Sequence, residues 1–123
     1  MTSEINFANF PDTSAIYKVV LFENNDQIYL RFGNEPNRDF HEFILGRFAE
    51  EIGIKCIQMR GPEGLINALP DNVSYRLIGA GRCRLNLENK SMLFFGTSYD
   101  YRIGIDKDYL EKIKLFFPDW NIR

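Results

Sequence analysis

Apolar and polar residues change their period several times along this chain, and each change marks an element. Ile16 to Phe22 (IYKVVLF) is a β-branched and aromatic run interrupted only by Lys18, the pattern of a strand covered on both faces. The turn-forming Glu23-Asn24-Asn25-Asp26 follows. Gln27 to Phe32 then alternates, with Ile28, Leu30 and Phe32 against Tyr29 and Arg31, so the two segments predict a hairpin. After a loop containing Pro36, Asp39 is placed to cap a helix, with Glu42 as its capping-box partner. Phe40, Phe43, Ile44, Phe48 and Ile52 recur at helical spacing as an apolar stripe, and Gly53 is the natural stop.

The second half of the chain is read in the same way. Ile54 to Met59 predicts a short strand, and Gly61 to Ser74, with its glycines and prolines, predicts an excursion holding a turn of helix at Gly64 to Ala68. Val73 to Ile78 predicts a strand ending at Gly79-Ala80-Gly81. Arg82 to Leu87 alternates, with Cys83, Leu85 and Leu87 inward, and Glu88-Asn89-Lys90 turns the chain into a buried run from Met92 to Phe95. Asp106 caps a final helix carrying Leu110, Ile113 and Phe117, Pro118 ends it, and Trp120 to Ile122 adds an edge strand. Strands and helices interleave without repeats or linkers. The expectation is an α/β fold over residues 1–123, a single domain with a mixed sheet of about five or six strands and helices packed on it.

Composition narrows the function classes. A chain of 123 residues with 45% hydrophobic and 15% aromatic content builds one dense core without staples. A net charge of -2 supplies no global field for phosphate backbones, so no nucleic-acid partner is expected. The N-terminal MTSEINFANF lacks a basic region followed by an apolar run, and no stretch approaches the roughly 18 apolar residues of a membrane span. A soluble, cytoplasmic protein with no membrane contact is expected. Cys56 and Cys83 form no Cys-x-x-Cys pair and, with one histidine, do not complete a tetrahedral zinc site. An inward, free Cys83 suits a reducing compartment.

The only histidine, His41, lies in Arg38-Asp39-Phe40-His41-Glu42-Phe43. With Asp39 as cap, it is the second residue of its helix, where the helix dipole and unpaired N–H groups oppose adding a proton. A neutral ring acts as base or nucleophile, and the same N–H groups attract an anion. Other phosphate-handling signatures fail. Neither cysteine has arginine six positions on, Gly79-Ala80-Gly81 lacks the third glycine of a dinucleotide loop, no Gly-Lys-Ser/Thr is present, and Asp106-Lys107-Asp108 is better read as a helix cap. Taken singly, Arg82 and Arg84 read as surface charges, Lys18 as a side chain snorkelling out of an apolar strand, and Ser98 as a turn residue.

Taken together, these residues resemble the Janus/Ocnus family of phosphohistidine phosphatases. The likeness runs through Tyr17-Lys18-Val19-Val20-Leu21, Ile28 to Arg31 and Phe40-His41, then from Ile78-Gly79-Ala80-Gly81-Arg82 through Lys90, Gly96-Thr97-Ser98 and Tyr101 to Lys112-Ile113-Lys114 and Phe117-Pro118-Asp119-Trp120. The resemblance implies a sheet with helices on both faces and a metal-independent, cofactor-free phosphatase acting as a monomer on phosphohistidine in proteins or peptides. It makes His41 catalytic, as general base or nucleophile. It assigns phosphate binding to Lys18, Arg31 and Arg82, to the Glu42 N–H, and to Ser98 and the backbone of Asp100. The family's Gly-Tyr-Ser-x-Ala-Tyr-Gly reads here Gly96-Thr97-Ser98-Tyr99-Asp100-Tyr101-Arg102, and the connection 54–74 is longer. An inward Asp100 carboxylate repels phosphate unless Arg102 neutralises it. The alternatives are therefore a non-catalytic phosphate- or phosphopeptide-binding regulatory module, and a protein-interaction domain using the sheet edge or the 54–74 connection.

Overall fold

The computed structural model describes residues 5–123. The reading of the N-terminus lies partly outside them, on residues 1–4. In chain order the elements are β1 (Ala15–Asn24), β2 (Gln27–Phe32), α1 (His41–Glu51), β3 (Ile57–Gly61), β4 (Gly64–Ala68), β5 (Tyr75–Asn86), β6 (Ser91–Phe95), β7 (Thr97–Ser98), β8 (Ile103–Gly104), α2 (Lys107–Phe116) and β9 (Asn121–Ile122). Five of them form a mixed sheet in the order β2-β1-β5-β6-β9, antiparallel except for the parallel β6–β9 pair. The fold is a compact α/β-like arrangement of this sheet and two helices. Among the described residues no helix is long and apolar enough to cross a membrane.

Alternation along β1 divides the interior. Tyr17, Val19 and Leu21 join Leu30, Phe32, Cys83, Leu85, Met92 and Phe94 in one cluster with Ile113 of α2. Val20 and Phe22 join Ile44, Leu45 and Phe48 of α1 in the other. The Phe22 and Phe48 rings stack at 4.1 Å. Side chains projecting to opposite sides of a strand at period two produce this partition. Cys83 is buried and free, its thiol pushed up to about 12 by burial.

Both predicted hairpins form, and Asp106 caps α2 by accepting from the Asp108 N–H at 2.8 Å. Other expectations are corrected. The segment 73–87 is not two strands about a glycine kink: β5 runs through Gly79-Ala80-Gly81 without a break. The glycines serve close approach instead, since a Cβ on Gly81 would lie 2.8 Å from the Phe95 carbonyl oxygen and 2.9 Å from that of Gly96. Gly64 to Ala68 is a strand paired with β3, not a turn of helix. The end of the second hairpin is also less buried than expected, because Leu93 and Phe95 are exposed.

Candidate functional site

Helix α1 starts one residue later than the capping-box pattern predicts. Phe40 is the N-cap, with extended backbone and no side-chain cap, and His41 is the first helical residue. Asp39 is occupied elsewhere, accepting from the Asn34 N–H at 2.8 Å and pairing with Arg47. The first helix bonds, from the N–H groups of Phe43 and Ile44 to the Phe40 carbonyl, leave those of His41 and Glu42 ahead of the ladder. The apolar stripe is correspondingly narrower. Ile44, Leu45 and Phe48 are buried, whereas Phe40 and Phe43 are half or more exposed.

His41 is buried, with Nε2 2.9 Å from the Gly81 carbonyl oxygen. A carbonyl only accepts, so Nε2 carries the proton and the lone pair of the neutral ring resides on Nδ1. Burial lowers the ring's pKa below the ordinary 6.5; the Gly81 bond and Asp100 act against this, and Lys18 and Arg82 act with it. The stability consequence has a definite sign. The unfolded ring takes up a proton near 6.5 and the folded ring only at lower pH, so the stabilising contribution is complete above 6.5 and is lost as pH falls toward the folded value. Urea unfolding between about pH 7.5 and 5 is expected to show a steeper acid loss for the native chain than for His41→Gln. Equal slopes would contradict the buried neutral ring.

Gly81 also brings this ring toward the turn after Phe95, because the Phe95 and Gly96 carbonyls pack against its Cα. That turn is closed by Ser98, which is buried. Its Oγ accepts from the Tyr101 N–H at 3.2 Å, and its carbonyl accepts from the Arg102 N–H at 2.8 Å. The Ser98 hydroxyl keeps its proton for donation. Gly96 and Arg102, at the two ends of the segment, both take left-handed backbone, with φ of 74° and 57°. Arg102 therefore holds a conformation that favours glycine. Among the described residues no ion pair joins it to Asp100, so the expected neutralisation is not made.

Lys18 and Arg82 face one another across β1 and β5, and the Lys18 ammonium lies 4.8 Å from the Phe40 ring centre. Directly opposed like charges on a sheet are unfavourable by themselves. Arg31 is a correction. It is 2% exposed, and all five of its N–H donors are used: on Glu51 at 2.9 and 3.1 Å and on the carbonyls of Phe7, Leu30 and Asn6. Its guanidinium carbon lies 5.0 Å from the Phe48 ring centre. The side chain ties the N-terminal segment to α1 and has no donor left for phosphate. Arg31→Met is expected to cost about 2–4 kcal/mol in urea unfolding, through unpaired carbonyls, while calorimetry finds phosphate affinity unchanged.

Two participants escape a reading of the sequence. The Gly81 carbonyl orients the ring, and a backbone oxygen carries no residue-type signal. The Asn67 side chain of β4 donates to the Glu42 carbonyl at 3.3 Å, and the Asn67 main-chain carbonyl accepts from the Tyr101 hydroxyl. The 54–74 connection thus braces both the first turn of α1 and the Ser98 turn. Burial, then Glu42, Asp100 and Cys56, push the Tyr101 phenol up, so it stays protonated and donating. Comparison of the chain with family models and with curated proteins yields no match.

Proposed function

We propose that the chain is a phosphohistidine phosphatase of the Janus/Ocnus kind, with His41 as the reacting residue. The observation that carries the reading is the Nε2 bond to Gly81: it orients a neutral ring, with Nδ1 unprotonated, at an uncapped helix start where Lys18 and Arg82 add positive charge. Phosphoryl oxygens accept from the Glu42 N–H, the Ser98 hydroxyl and the backbone at Asp100, and the two cations balance their charge. Nδ1 either takes a proton from the water that attacks phosphorus or attacks phosphorus itself. By either route the phosphorus–nitrogen bond breaks, its electron pair passes to the substrate imidazole, and that ring takes up a proton. In the second route water then releases phosphate from His41.

The reading uses no metal or cofactor, and takes the chain to act as a cytoplasmic monomer on phosphorylated proteins. It carries the finer fold statement of one helix against each sheet face, which the two separate clusters holding Ile113 and Phe48 support. The test is release of phosphate from a phosphohistidine peptide by the native chain in EDTA. Activity lost to EDTA and restored by a divalent cation would overturn the metal-independent form.

One observation favours a phosphate-binding module without turnover: the Asp100 carboxylate acts electrostatically on the His41 ring and lacks an ion-pair partner among the described residues. Asp100→Asn is expected to tighten phosphate binding by about five- to tenfold in calorimetry. Unchanged affinity removes the repulsion argument, and binding without hydrolysis in the native chain selects the module.

A further inference from the structure

Helix α1 covers only part of the sheet face on which it lies. It packs on Val20 and Phe22 of β1. Farther back along that strand the same face carries Lys18 and then Ile16, by the period-two rule. The register places Lys18, Arg82 and Phe95 in one row across β1, β5 and β6, and Ile16, Arg84 and Leu93 in the next. Arg82 and Arg84 are exposed, Leu93 and Phe95 are 37% and 38% exposed, and Lys18 and Ile16 are half-buried. Among the described residues none of the three cations has an ion-pair partner. A chain of net charge -2 thus concentrates unpaired positive charge, with apolar side chains between, on one uncovered patch.

We propose that this patch docks an extended, acidic segment of the phosphoprotein substrate, with Arg84 selecting a carboxylate beside the phosphorylated residue. The assignment rests on the preceding reading for the position of the phosphoryl group. Charge complementarity names the occupant: Lys18 and Arg82 lie toward His41, whereas Arg84 is one same-face step farther, about 7 Å along the strand. An extended peptide with its phosphoryl group at His41 spans that step with two residues, so the preferred carboxylate is two or three positions from the phosphorylated one. Leu93 and Phe95 then receive an intervening apolar side chain, which a uniformly charged polyanion does not offer.

The experiment uses the native chain and peptides carrying phosphoserine, a stable phosphate that needs no turnover, with Glu, Gln or Lys two or three positions away. Fluorescence anisotropy is expected to show the Glu peptide binding about five- to tenfold more tightly than the Gln peptide. Arg84→Glu reverses that order, and the Lys peptide recovers affinity for the variant. Equal binding of Glu and Gln peptides, an Arg84→Glu effect of the same size on both, or tighter binding of a single-stranded oligonucleotide would overturn the proposal. Failure to hydrolyse phosphohistidine while the Glu preference persists would overturn the phosphatase reading and leave the docking surface standing.

Discussion

His41→Ala is expected to slow hydrolysis of a phosphohistidine peptide by about 10²- to 10⁴-fold, the range over which a positioned base or nucleophile accelerates a reaction. Phosphate affinity should change far less, because in the proposed reading backbone donors, Lys18 and Arg82 hold the anion, and the substitution leaves them in place. His41→Gln refines the test. Its amide still donates to the Gly81 carbonyl but has no basic nitrogen to replace Nδ1, so it should preserve the fold and remain as slow as alanine. Single-turnover rates with saturating enzyme separate the chemical step from binding. Rates equal to the native chain's would remove His41 from the mechanism, and a loss confined to affinity would make it a binding residue.

Gly81→Ala is expected to be the most damaging single-methyl addition in the sheet. The new Cβ would meet the Phe95 and Gly96 carbonyl oxygens at 2.8 and 2.9 Å, and both are backbone atoms that no rotamer change can move aside. Overpacking of this kind costs about 3 kcal/mol, which corresponds to a melting temperature lower by about 10 °C for a domain of this size. Function should fall further than stability, because relief of the clash displaces the carbonyl that orients His41. Circular-dichroism melting, with turnover measured well below the variant's midpoint, reads the two effects apart. A melting curve like the native one would mean that β5 and the turn after Phe95 are held more loosely than the close contacts imply.

The elements that local chemistry specifies were the ones legible in the sequence. Alternation from Gln27 to Phe32 and from Arg82 to Leu87 marks both as strands, although α1 also covers the Tyr29 and Arg31 side of the first, and Asp106 caps α2 through an amide two residues away. Elements decided by partners outside their own segment were not. Asp39 has the right residue type for a cap, but its carboxylate is drawn to Asn34 and Arg47. Gly64 to Ala68 is too short to express a period, and its pairing with β3 makes it a strand. Arg31 and Arg82 look alike as strand arginines, yet the first is consumed inside the protein and the second faces solvent. At the site, the lone histidine near a helix start was readable; the carbonyl across from it and the brace from Asn67 depend on tertiary contact alone.

The bond that commits Nε2 to Gly81 has a regiochemical corollary. Should the imidazole of residue 41 itself become phosphorylated, the group must attach at the nitrogen nearer the main chain, giving the π rather than the τ isomer. Two-dimensional spectra that correlate phosphorus with ring protons distinguish those adducts, so the molecular identity of a trapped intermediate would report which tautomer the working protein holds.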